Sequence, residues 1–106
     1  MTKEAPDADS QAKQQQAVEK KDAGNEYFKS QDYEKAIELY SEAIELNPSE
    51  PTFYTNRSIA YFRTEAYGYA LEDANKSIKQ NPNFFKGFYR RAVTNMALGE
   101  CSLTRI

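Results

Sequence analysis

From Ala17 onward the apolar residues recur at helical spacing: Val18, then Tyr27 and Phe28, then Tyr33, Ile37, Tyr40 and Ile44 in steps of three or four. Turn and stop signals divide the pattern. Gln31-Asp32 separates the first two runs, Asn47-Pro48 with Pro51 stops the second, Glu65-Ala66 separates the next pair, and Asn81-Pro82 stops again. The pattern predicts five helices, over 17–30, 33–46, 51–64, 67–80 and 84–99. Residues 1–16 carry Pro6, three carboxylates and a glutamine run but too few apolar groups to offset the entropy of ordering, so no fixed structure is expected there beyond some nascent helix at 11–16.

The punctuation repeats. Asn47-Pro48 returns as Asn81-Pro82, Tyr27-Phe28 as Tyr61-Phe62, Tyr33 as Tyr67, Ala36 as Ala70 and Ile44 as Ile78, all at one offset of about 34 residues. Small residues at Gly24, Ala36 and Ala43 allow neighbouring helices to approach, while Tyr27 and Tyr40 are expected to fill the spaces between them. In the second unit Ser58, Tyr61, Ala70 and Ala74 take the matching places, alanine replacing the large residue at 74. A helix-turn-helix unit of this period resembles the tetratricopeptide repeat, and the resemblance covers residues 17–99. It implies an all-α array, an α-solenoid of about two and a half repeats: 17–50, 51–84 and a partial third unit at 85–99.

Composition narrows the function. A chain of 106 residues, 40% apolar and 28% charged, is one small domain of globular type, and no apolar run approaches the length of a membrane span. The N-terminus has no apolar stretch of the kind a secretory signal requires, and the single cysteine, Cys101, excludes an internal disulfide framework, so a cytosolic or nuclear setting is expected. Histidine is absent, which removes the commonest general base and the commonest ligand of catalytic metals. Glu72 and Asp73 are sequence neighbours on one predicted helix rather than a convergent pair, and nothing supplies a nucleophile with a base. No enzyme activity, cofactor or metal is expected of this chain.

Charge is distributed unevenly within a near-balanced total of 14 basic and 16 acidic residues. The predicted helix 51–64 carries Arg57 and Arg63 with no carboxylate, and 84–99 carries Lys86, Arg90 and Arg91 with none. The helix at 33–46 carries Glu34, Glu38, Glu42 and Glu45 against Lys35 alone. In a tetratricopeptide array the first helix of each repeat lines a concave groove and the second lies outside, so the resemblance implies a basic groove and an acidic back. Lys86 and Arg90 are four apart and project from one helix face, so they can act together on one anion.

The residues placed along that groove are Lys21 and Asn25 of KDAGN, Asn56 of YTNRS, and Lys86 and Arg90 of KGFYR. All five positions match the carboxylate clamp of tetratricopeptide co-chaperones. The resemblance implies capture of the C-terminal Glu-Glu-Val-Asp peptide of cytosolic heat-shock chaperones of the ninety- and seventy-kilodalton classes. The chemistry suits the residue types: lysine and arginine give charge-assisted donors to paired carboxylates, and asparagine amides fix direction. Asparagine inside a helix lowers propensity, which a binding role for Asn25 would explain. Arg63, seven residues after Asn56 on the same face, is a candidate for a second contact with an acidic side chain upstream, whereas Arg57 and Arg91 are expected to face elsewhere.

NRSIAYFRTEAYGYALEDA and KGFYRRAVTNMALG are further similar to the N-terminal domain of the serine/threonine protein phosphatase 5 family. In that family the domain docks the chaperone terminus and holds the phosphatase domain inactive. Here the stretch at 100–106 departs from the family pattern, and a shortened or alternatively ended form without the phosphatase is the expectation. The far side of the third unit's helix is then expected to be exposed, or covered by a second copy. Two other partners fit the residues less well. Another acidic peptide would use the same groove, and Tyr54, Phe88 and Tyr89 beside arginines could stack RNA bases, but a pI near 5.2 argues against a large phosphate footprint.

Overall fold

The computed structural model describes residues 8–104, with side chains for 8–99. Five helices follow one another: α1 (Ala8–Lys29), α2 (Tyr33–Leu46), α3 (Pro51–Arg63), α4 (Tyr67–Gln80) and α5 (Phe85–Thr104). No strand occurs among the described residues. The bounds of α2 and α4 are those the spacing predicts, and α3 and α5 each differ by one residue at one end. Two ends differ by more. α1 begins at Ala8, so the stretch expected to lack structure is helical from that point, while residues 1–7 lie outside the described residues. Residues 11–16 are all exposed, so this extension rests on the helix propensity of alanine, glutamine and lysine and on the Lys13–Asp9 pair at 3.8 Å rather than on burial. At the other end α5 runs past Gly99 to Thr104 rather than stopping near 99.

The turns show why the repeat is regular. Gln31 and Glu65, one repeat apart, both adopt positive φ, at 66° and 64°. After each, the next amide reaches back five residues: Asp32 N–H donates to the Tyr27 carbonyl and Ala66 N–H to the Tyr61 carbonyl, both at 2.9 Å. This is a Schellman closure, which satisfies the last carbonyls of α1 and α3 and reverses the chain. The third member of the series is Gly99, which has no positive φ and lies within α5.

Packing follows the same period. α1 packs on α2 and α3 on α4, α2 and α4 join successive units, and α3 touches α5. One core cluster joins Ala17, Ala43 and Phe53, and a second joins Ala36, Tyr40 and Ala60 with Phe28 and Ile37 against it. Edge-to-face pairs Phe28–Tyr33 (5.2 Å) and Phe62–Tyr67 (5.0 Å) close the open ends of the two complete units. Tyr27, expected to fill the space between helices, is 40% exposed, and its neighbour Phe28 packs there instead. A Cβ at Gly24 would lie 2.7 Å from Tyr40 Cε1, so only glycine permits this approach of α1 to α2.

Candidate functional site

Two adjoining hollows, of about 110 and 260 Å³, share Asn56 and Ile59 of α3. The first is completed by Asn25 and Phe28 of α1 and Tyr40 of α2, the second by Thr55 of α3 and Lys86, Tyr89 and Arg90 of α5. Asn25, Asn56, Lys86 and Arg90 therefore line one groove running across α1, α3 and α5. Ile59, Phe28 and the Tyr40 ring line it with apolar surface, and these four side chains bring its amide and cationic groups.

Lys21 is placed differently. It stands one turn before Asn25 on α1, half-buried, and its Nζ lies 3.2 Å from Asp22 Oδ1. It lines a separate hollow of about 540 Å³, formed with Gln14 and Val18 of α1 and with Asn47, Ser49, Glu50, Thr52 and Phe53 around the start of α3. The structure thus brings together four of the five residues expected to form the clamp, while Lys21 lines a different hollow with its charge engaged locally.

Arg90 has the most unusual surroundings. Its guanidinium lies over the rings of Phe62 (5.2 Å) and Tyr89 (5.8 Å), and its buried Nε has no hydrogen-bond partner among the described residues. One turn further along α5, the buried Thr94 hydroxyl also lacks one. Burial pushes the Arg90 pKa down; Tyr89 pulls it up, and the nearby Arg63 cation lowers it further. Arg63 is itself held over Phe28 (5.1 Å) and Tyr33 (6.0 Å), with Nη1 donating to the Tyr33 hydroxyl at 3.2 Å. Among the described residues, none of Arg63, Lys86 and Arg90 forms an ion pair, whereas Lys13, Lys20, Lys21, Lys29, Lys35 and Arg57 all do. Two guanidiniums held over aromatic faces, with the unpaired Lys86 ammonium lining the same groove as Arg90, suit an anion.

Arg57 does face elsewhere, as expected. Its Nε and Nη2 donate to the two oxygens of Asp73 on α4 at 2.7 and 2.8 Å, and Nη1 donates to the Ser41 hydroxyl on α2 at 2.9 Å. Arg91 lies over Phe88 at 5.2 Å, away from the groove. No group of three or more acidic, cysteine or histidine side chains with metal-holding geometry occurs among the described residues.

Sequence reasoning missed Phe28, Tyr40, Thr55 and Ile59 as groove residues and offered Tyr89 only as a base-stacking residue in the alternative reading. Tyr40 reads as a core aromatic because its ring is buried. Only the fact that the asparagine at 25 directly follows Gly24, the ring's contact, hints that its hydroxyl reaches the groove.

The family described as "TPR repeat" matches residues 24–65. The second TPR domain of Spaghetti (RPAP3), solved bound to the HSP90 peptide SRMEEVD, superposes with a TM-score of 0.81 at 35% identity, covering 86% of this chain and 83% of that one. The chain belongs to the tetratricopeptide-repeat family. Within it, human serine/threonine-protein phosphatase 5 is 54% identical over 98 residues, 92% of this chain but 19% of the phosphatase. This tetratricopeptide array thus spans about a fifth of that relative's length. The TPR2B domain of yeast Sti1, solved in complex with an Hsp70 peptide, has a TM-score of 0.77 at 33% identity, covering 79% of this chain and 67% of that one.

Proposed function

We propose that this array is a protein-interaction module that captures the free C-terminus of an acidic peptide of the Glu-Glu-Val-Asp kind, carried by heat-shock chaperones of the ninety- and seventy-kilodalton classes. The observation that carries the reading is the groove of Asn25, Asn56, Lys86 and Arg90, in which neither cation has an ion-pair partner among the described residues. A carboxylate supplies the counter-charge that these two cations lack. In this reading Lys86 and Arg90 neutralise the terminal residue's two carboxylates, and the Asn25 and Asn56 amides orient them. Arg63 meets an acidic side chain upstream, and Lys21 exchanges Asp22 for the peptide. The apolar lining takes the aliphatic side chain next to the terminus. The Spaghetti and Sti1 domains, solved with such peptides, support the choice of ligand. In a longer parent of the phosphatase 5 kind, the same array would dock the phosphatase to a chaperone and restrain it, in the cytosol or nucleus.

The test is calorimetric titration of the chain with SRMEEVD, with the same peptide amidated at its C-terminus, and with a single-stranded RNA oligomer. The free acid should bind with a Kd on the order of micromolar, about −8 kcal/mol, and the other two should not. Equal binding of acid and amide would overturn the reading, and binding of RNA alone would replace it.

A further inference from the structure

Tyr40 of α2 is 2% exposed, yet its hydroxyl reaches the wall of the groove and donates to Asn25 Oδ1 at 2.5 Å. The structure places the Asn25 oxygen, not its nitrogen, against the tyrosine hydroxyl, as an O–H donor requires. The amide NH₂ is then left on the groove side. Turning the amide over would leave the phenolic proton without an acceptor in a buried place, which is costly. Burial pushes the Tyr40 pKa up to about 12, so the donor stays protonated at ordinary pH.

The ring that carries this hydroxyl cannot shift freely. It lies so close to α1 that a Cβ at Gly24 would stand 2.7 and 2.9 Å from its Cε1 and Cδ1. One repeat later the three positions change together: Gly24 becomes Ser58, Asn25 becomes Ile59 and Tyr40 becomes Ala74. In that unit the Ser58 hydroxyl donates to the Ala70 carbonyl at 2.7 Å and no amide lies in the groove at the matching place. Glycine, asparagine and tyrosine thus occur as a set only where the groove carries the amide.

We propose that Tyr40 is a positioning residue that sets ligand preference: by holding Asn25 Oδ1 it turns the Nδ2 donors toward the ligand, and so favours a carboxylate over a carboxamide. A carboxylate accepts and never donates, so it suits these donors. A carboxamide brings its own N–H groups, which meet the Nδ2 donors rather than an oxygen that is turned toward Tyr40. This inference rests on the proposed function of the groove.

The experiment compares Tyr40→Phe with the parent in binding free-acid and amidated SRMEEVD. Phenylalanine keeps the ring against Gly24 and removes only the hydroxyl. The variant should bind the free acid about 2–10-fold more weakly, the range expected for one neutral hydrogen bond, and its acid-over-amide preference should shrink. Tyr54→Phe serves as the comparison for structural loosening, because the Tyr54 hydroxyl donates to the Pro48 carbonyl at 2.7 Å, outside the groove hollows. It should keep the parent's preference. An unchanged preference in Tyr40→Phe, or an equal loss in Tyr54→Phe, overturns the inference while leaving the groove's function standing. A parent that does not distinguish acid from amide overturns the function itself and this inference with it. Should Tyr40→Phe fail to fold, side-chain amide NMR of the parent decides. The Asn25 NH₂ resonances should move on adding free-acid peptide, and resonances that stay in place as the peptide saturates would overturn the inference.

Discussion

Arg57 and Asp73 face each other across α3 and α4 in a two-point ion pair, with both Asp73 oxygens engaged at 2.7 and 2.8 Å and the carboxylate 1% exposed. The Arg57 fork also reaches the Ser41 hydroxyl, so one side chain joins α2, α3 and α4 behind the groove. Removing one partner of such a pair leaves the other charge buried and unpaired, which costs about 3–5 kcal/mol. Asp73→Ala should therefore lower unfolding stability by that order in urea titrations. A double replacement with apolar residues of similar volume should recover much of the loss. Peptide affinity of the folded fraction should change little, since neither residue lines the groove. A stability change below about 1 kcal/mol in Asp73→Ala would mean that the pair is solvated in solution.

Tyrosine titration gives a second check. Burial raises the pKa of Tyr40 to about 12, and burial is also the first cause of the upward shifts of Tyr54 and Tyr61. The unfolded chain loses these protons near pH 10, whereas the folded chain holds them longer. Above pH 10 the folded state thus binds more protons, so stability falls as pH rises. The contribution is complete below about pH 10 and is lost as pH passes through about 12 for Tyr40. Urea midpoints should be flat from pH 8 to 10 and decline from there, and Tyr40→Phe should flatten part of the decline. Stability that rises between pH 10 and 12 would contradict the burial of these hydroxyls.

The five helices were legible in the sequence because two cues agreed at each boundary. Apolar spacing fixed the faces, and Asn-Pro stops and paired turn signals fixed the ends. Where only one cue existed, the reading failed. Residues 8–16 have no apolar stripe, so their helix, which rests on propensity, could not be told from a disordered tail. Gly99 sits where Gln31 and Glu65 turn, and a glycine at the third such position reads as a helix end, but α5 continues through it. At the site, the clamp resemblance placed Lys21, Asn25, Asn56, Lys86 and Arg90 in one groove, and the last four line the two adjoining hollows while Lys21 lines another. Spacing cannot say where a flexible side chain ends. The Lys21 pairing with Asp22 and the Arg63 stacking on Phe28 and Tyr33 are rotamer choices, visible only once neighbouring helices are in place.

Charge should dominate the groove's affinity. Charge-assisted hydrogen bonds contribute about 1.5–3 kcal/mol each, so Lys86→Ala or Arg90→Ala alone should weaken free-acid SRMEEVD roughly tenfold or more. Arg90 should be the more sensitive of the two to conservative change. Arg90→Lys loses the planar fork that lies over Phe62 and Tyr89 and should not restore binding. Raising salt should weaken the parent, because Lys86 and Arg63 are exposed to screening. Parent-like binding by both alanine variants would remove the anion from the site, and salt-insensitive binding would assign the affinity to the apolar lining.

The last expectation concerns α5, which packs on α4 and touches α3 along one side only. Phe85 is 75% exposed, Met96 66% and Tyr89 55%, so apolar surface that the earlier units bury remains in water here. Burying one large apolar side chain is worth about 1.5–3 kcal/mol, and a small domain has about 5–15 kcal/mol in all. A helix lacking two or three such burials opens more readily than its neighbours. In hydrogen exchange, residues 85–99 should be the least protected helical segment apart from the exposed start of α1. Saturating free-acid peptide should raise their protection, because Lys86 and Arg90 tie α5 to Asn56 through the ligand. The amidated peptide should leave it unchanged. Strong, uniform protection of residues 85–99 in a peptide-free monomer would refute the weak helix. The same protection in a dimer would mean that a second copy covers the Phe85, Tyr89 and Met96 surface.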